Sequence, residues 1–247
     1  MARKIVITSG KGGAGKTTIA VLLAKRLAKL GKRTLVIDLD SSLNNLDVLS
    51  GVEDRVEFYL EDAVSGKCRA RQTLVPVEKN FSIIESMRSE KSYSPPQSVK
   101  LLADGFSDVF DFILFDCPAG IDASFHRAVA CADEAVVVIN CYPTSLRDCD
   151  KVVNILKSYK LKSVVCVANR VRRDLISKGK SISEGECEEI LKVPVIASVP
   201  ESDDVLCFCG DLPLLSPCAA AIKKLAKKIT NKDYVSSAEI FKTRKRA

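Results

Sequence analysis

The stretch that most limits what this chain can fold into is Ser9 to Thr18, SGKGGAGKTT. Ile5-Val6-Ile7 before it reads as a buried strand; Ile19 to Ala24 after it, with Leu27 and Leu30, has the apolar spacing of a helix. A strand, a glycine-rich turn and a helix start, in that order, give the G-x-x-x-x-G-K-[ST] pattern the context of a phosphate site. Gly10, Gly12, Gly13 and Gly15, with Ala14 between the last two, let the backbone come close to a ligand, so that successive N–H groups converge on one anion. The positive end of the helix dipole caps that cavity. In this reading Lys16 reaches the β- and γ-phosphates, the Thr17 hydroxyl binds Mg²⁺, and Thr18 stands nearer the α-phosphate.

The rest of the chain suits that start. Its 247 residues are 47 % apolar and 6 % aromatic, with no Trp, which fits a Val/Ile/Leu-rich parallel sheet covered on both faces. The expected fold is α/β in three layers, a mostly parallel twisted sheet with helices on both faces. Residues 1–230 are read as one such domain and 231–247 as a basic tail. No apolar run approaches the length of a membrane span, and the one after Met1-Ala2-Arg3-Lys4 is too short for a signal peptide, so a cytoplasmic location is expected.

Two further strands end in acids. Thr34 to Ile37 leads into Asp38-Leu39-Asp40, whose alternation puts both carboxylates on one face, at the end of a parallel strand where open α/β sheets bind ligands. Phe112 to Phe115 ends in Asp116, followed by Cys117-Pro118-Ala119-Gly120. An acid facing the phosphate loop from a buried strand holds Mg²⁺ through water, so Asp116 joins Thr17 as a candidate for the metal. Between these strands, Phe58 to Val64 reads as a short helix stopped by Gly66, and Phe81 to Ile84 as a strand. Ser86 to Gln97 reads as a loop, and Ser98 to Phe110 as a helix. Strands over 135–140, 164–168 and 194–200 follow, with helices around His126 and from Pro143 to Tyr159, a basic loop from Arg170 to Lys180, and an amphipathic helix from Pro217 to Ile229. His126 reads as a helix-surface histidine, since phosphoryl transfer to water needs no histidine.

Lys11 goes beyond the basic motif. KGGAGKTT resembles the deviant Walker A signature of the MinD/ParA ATPase family, and DCPAGI, ADEA and PTSLRD resemble the MinD branch of it. The resemblance runs from Met1 to about Ile229. It implies an ATPase that binds ATP or ADP with Mg²⁺, pairs with a second copy when ATP is bound, and takes part in placing the division site. It further implies that Lys11 crosses to phosphate held by the partner chain, that Asp40 orients the attacking water and that Asp38 lies nearer the Mg²⁺ shell, giving Lys11, Lys16 and Asp40 as the catalytic set and Thr17, Asp38 and Asp116 as the metal set. Asn169, Arg170 and Pro200 are implied at the adenine, and Asn45, Arg147 and Asp148 at the partner face; Arg147 and Asp148 serve equally well as a local pair. Ser42 and Asn44 stand where the branch usually has glycine and arginine. Implied partners are a MinC-like division inhibitor and a MinE-like or other ATPase-stimulating protein, with no specific nucleic acid.

The net charge of +7 belongs to the last stretch: from Lys223 onward nine Lys or Arg face Asp233 and Glu239, and the remaining residues are neutral overall. In the tail, Ile240 and Phe241 with Lys242, Arg244, Lys245 and Arg246 read as a membrane-surface segment, which would place the ATP-bound protein on the inner face of the cell membrane. A ParA-like or flagellar-number-control ATPase acting on DNA or protein is the nearest rival, and a nucleotide-binding scaffold without turnover another. An iron–sulfur carrier is a rival from a different class. Ten dispersed cysteines, with Cys207 and Cys209 the one close pair and no C-x-x-C, read mainly as reduced core thiols.

Overall fold

In a computed structural model the structure describes residues 1–40, 45–86, 95–206, 212–213 and 216–232. Eight strands form one sheet: β1 Arg3–Thr8, β2 Thr34–Asp38, β3 Val75–Glu78, β4 Phe81–Ile84, β5 Phe112–Asp116, β6 Glu134–Asn140, β7 Ser163–Val171 and β8 Val195–Pro200. The helices are α1 Lys16–Lys29, α2 Leu46–Ser50, α3 Leu60–Val64, α4 Pro96–Gly105, α5 Ala123–Ala130, α6 Pro143–Leu156, α7 Arg173–Ile176, α8 Glu184–Leu191, α9 Asp203–Leu206 and α10 Pro217–Asn231.

The sheet order is β3-β4-β2-β5-β1-β6-β7-β8, and every pairing is parallel except β3 with β4. Side chains alternate between two cores, as a doubly covered sheet requires. Ile5 and Ile7 of β1 pack with α1 and α10 on one face, while Val6 joins α4, α5, α6 and α8 on the other. Register then fixes the site. Asp38 lies abreast of Asp116 on β2 and β5, Ile7 abreast of Asp116 on β1 and β5, and Asn140 abreast of Asn169 on β6 and β7.

Local chemistry sets the helix starts. Asp122 accepts from Ser124 N and Phe125 N at the head of α5, and Ser216 accepts from Ala219 N with Pro217 in the first turn of α10. Three expectations need correction. The helix expected over 98–110 is α4: it starts at Pro96, since proline lacks only an N–H that the first turn does not use, and it ends at Gly105. The helix expected to run to Tyr159 stops at Leu156, and a 3-10 turn covers Lys157–Tyr159. The loop expected over 170–180 holds the single turn of α7. Edge strand β3 and helix α8 were not foreseen; β3 contains Pro76, and the buried positions of α8 are Cys187 and Leu191 alone.

Candidate functional site

The loop from Gly10 to Gly15 leaves the end of β1 and enters α1 with Gly15 at φ +95°, a left-handed conformation that L side chains rarely adopt. No side chain caps α1 and its first turn holds no acid, so its leading N–H groups are left for an anion. The loop is held from three sides. Ser9 Oγ donates to Lys11 O at 2.7 Å. Asn169 Nδ2 donates to Ala14 O at 2.9 Å, and Asn140 Nδ2 donates to Asn169 O at 3.1 Å. A Cβ on Gly10 would come within 2.5 Å of Asp148 C and 2.6 Å of Cys149 N, so α6 presses on the loop where only glycine fits. The Gly10 N–H donates to the Cys149 thiol.

The two lysines of the motif occupy different surroundings. Lys16 is buried, and its charge acts on Asp116. Lys11 is exposed, with Nζ 3.4 Å from Asp148 Oδ2. Desolvation works against it, but Lys11 and Lys151 together hold the Asp148 carboxyl below its ordinary range. Arg147 is exposed and makes no ion pair among the described residues, so the local Arg147–Asp148 pair is not formed.

Asp38 and Asp116 are both buried, at 1 % exposure each. Burial pushes the Asp116 carboxyl up to about 7, against the Thr17 hydroxyl that donates to it and the Lys16 charge that would lower it. Burial, then the charges of Asp116 and Glu85, push Asp38 well above its usual range. Asp40 is half-buried, and its N–H donates to Asp38 Oδ1 at 2.8 Å. Two buried carboxyls this close are costly as anions unless a cation joins them. Asp116 Oδ1 is a buried acceptor with no hydrogen-bond partner, which suits a hydrated Mg²⁺ beside Thr17. The residues fit the ion.

Two members of this arrangement were missed. Glu85 is wholly buried just past β4 and faces Asp38; an acid directly after Ile83-Ile84 was the available signal. Asn140 links β6 to β7 behind the loop; a polar amide closing the apolar run 135–139 was the available signal.

At the β8 edge lies a cavity of about 750 Å³ lined by Val171, Arg172, Asp174, Ser198, Pro200 and Glu201, among others. Arg172 bridges Asp174 at 2.8 Å and Glu201 at 3.4 Å beside it. Pro200 faces this cavity, whereas Asn169 gives one N–H to the phosphate loop and, like Arg170, which is exposed at φ +54°, is not part of the lining. Thr18 is half-buried on the first turn of α1, and Asn45 is exposed at the head of α2. His126 is exposed on α5 with its ring against Tyr159. Ser42, Asn44, Cys207, Cys209 and the tail residues Ile240, Phe241, Lys242, Arg244, Lys245 and Arg246 lie outside the described residues.

The eight described cysteines are all unpaired thiols, seven of them buried. Burial pushes Cys117, beside Asp116, up to about 12. Among the described residues no group of three or more His, Cys, Asp or Glu forms a metal cluster. No described helix is long and apolar enough to cross a membrane.

Residues 5–208 match the family described as the CobQ/CobB/MinD/ParA nucleotide binding domain. The septum site-determining protein MinD of Bacillus subtilis is 35 % identical over 211 residues, covering 83 % of this chain and 79 % of that protein. The fold superposes on MinD in the MinC:MinD cell division complex of Aquifex aeolicus with a TM-score of 0.86 at 31 % identity, covering 93 % of this chain and 96 % of that one. Septum site-determining MinD of Pyrococcus horikoshii, complexed with Mg-ADP, gives a TM-score of 0.83 at 28 % identity, with 93 % and 96 % covered.

Proposed function

The chain belongs to the CobQ/CobB/MinD/ParA nucleotide-binding family, as a septum site-determining ATPase of the MinD type, and from that premise we propose that ATP closes two copies of it face to face and hydrolysis reopens them. The observation that carries this reading is the different setting of its two lysines. Lys16 sits inside the chain's own cradle facing Asp116, while Lys11 stands at the surface, held by Asp148. A lysine at the mouth of a finished cradle is placed to complete a second one.

In this reading the N–H groups of Gly12 to Thr18 and the Lys16 ammonium bind the phosphates, and Thr17 with Asp116 would hold Mg²⁺, Asp38 standing behind them. When bound, the ion draws negative charge from the β- and γ-phosphate oxygens. Asp40, tethered by its N–H to Asp38, orients the attacking water, and closure by the second copy excludes bulk solvent. Pro200 and the cavity beside it take the base. Asn45, Arg147 and Asp148, on the faces of α2 and α6, meet the partner.

The same dimer would recruit a division inhibitor, as MinC is joined to MinD in the Aquifex complex, and answer to an ATPase-stimulating protein. The tail would hold the pair on an anionic membrane, two weak anchors acting as one through effective concentration. The test is Lys11→Ala, followed by size-exclusion chromatography and phosphate release with Mg-ATP. The expected variant binds nucleotide, stays monomeric and does not turn over. A variant that pairs and hydrolyses like the parent overturns the proposal.

A further inference from the structure

The α10 helix is unusual in its charge. Over its 15 residues it carries Lys223, Lys224, Lys227 and Lys228 and no acid. At about 100° per residue these lysines fall within an arc of about 140°. Lys223, Lys224 and Lys227 are exposed and Lys228 is half-buried, while Cys218, Ile222, Leu225, Ala226 and Ile229 on the other side are buried in the core beside α1. Among the described residues none of the four lysine side chains has an ion pair, in contrast to Lys4, Lys11, Lys67, Lys151 and Lys162. Neighbouring α1 also lacks Asp and Glu. A row of like charges with no counter-charge costs the folded state self-repulsion. An external anion relieves it.

We infer that the lysine face of α10 is a second docking surface for anionic lipid headgroups, acting beside the tail; this rests on the membrane reading above. Three features favour lipid. The apolar side of α10 is locked in the core, so the helix cannot insert and offers ammonium groups alone. The Arg3 guanidinium, paired with Glu134 at 2.6 Å, also donates to Ile229 O, which pins the last turn of α10 beside the start of β1. The chain therefore leaves α10 at the end of the sheet opposite the phosphate loop, so headgroups held at that end, by Lys227 and Lys228, leave the loop uncovered, whereas Lys224 lines the cavity at the β8 edge. Ile240 and Phe241 follow on the same chain end, and a lipid interface accepts such side chains where a phosphate backbone does not.

The test uses the full chain and a Lys223→Gln, Lys227→Gln, Lys228→Gln variant, leaving Lys224, which also lines the cavity at the β8 edge. Each is co-sedimented with phosphatidylglycerol/phosphatidylcholine vesicles and with phosphatidylcholine alone, with and without ATP, at rising NaCl. The variant should hydrolyse ATP like the parent but bind anionic vesicles about 5- to 100-fold more weakly, since one ammonium near such a surface supplies about fivefold. Its salt dependence should be shallower. A variant that binds anionic vesicles as tightly as the parent overturns the inference and leaves the tail as the anchor. A parent that ignores anionic vesicles removes the membrane reading and the inference together. Loss of duplex DNA retention with vesicle binding intact reassigns the face to nucleic acid and overturns the lipid partner.

Discussion

The phosphate loop and the C-terminal helix both concentrate positive charge, and they treat it in opposite ways. Around the loop the chain's own carboxyls stand beside the charges: Asp148 pairs with Lys11, and Asp116 lies within reach of the Lys16 charge. Along α10 no described carboxylate answers Lys223, Lys224, Lys227 or Lys228. A charge with an internal partner can exchange it when a ligand arrives, so the loop is built to switch. A row without one can only look outward.

The sharpest way to break this contrast is Lys16→Ala. If the buried lysine serves nucleotide, phosphate release should fall by about 10²–10³-fold or more while the fold persists. Stopped-assay phosphate detection and circular dichroism check both halves.

The second test concerns how tightly the loop is gripped. Gly10→Ala drives a methyl into the Asp148 and Cys149 backbone and should cost about 1–3 kcal/mol of stability, read as a melting temperature lowered by several degrees. Gly12→Ala meets only Ala119 Cβ at 3.8 Å and should melt like the parent. Equal melting of the two variants would remove the grip.

A third sharpens the acid side. The Asp116 carboxyl sits at about 7 in the folded chain against an ordinary 3.8, so the native state binds its proton more tightly than the unfolded one. Below the unfolded value it has no effect on stability; as pH rises from there to about 7, stability falls. Asp116→Asn should flatten that part of the pH profile in denaturant melts without ligand. Filling the site with Mg-nucleotide near pH 6.5 should release protons, visible as a buffer-dependent heat in calorimetry.

The smallest effect is expected at Asp148→Asn. The melting temperature should stay that of the parent, because the pair with Lys11 is exposed and screened. Lys11 should be acylated faster by an amine-reactive ester in the resting chain, measured by mass spectrometry, having lost its shield.

Sequence made the central strands plain because each is a short apolar run closed by a residue with chemical meaning. Ile5 to Ile7 before the glycines and Phe112 to Asp116 before Cys117 could be placed without coordinates. Register did the remainder, setting Asp38 beside Asp116 once both were known strand ends. What escaped was decided by contacts distant in sequence. β3 holds only four residues with a proline among them, and it is a strand because β4 offers it an antiparallel edge. α8 buries just Cys187 and Leu191 and is defined more by the Ser183–Glu186 capping box than by any apolar stripe. The resemblance implied an adenine contact for Asn169; the structure adds that its amide also donates to Ala14 O, 155 residues away, a pairing no local pattern encodes.

The absence of a side chain at Gly10 has a mechanical corollary. The backbone of α6 rests directly on the first glycine of the loop, with no side chain of that glycine to cushion the contact. Anything that displaced α6 from its outer side would therefore press on the loop backbone itself, with no side chain in between to repack.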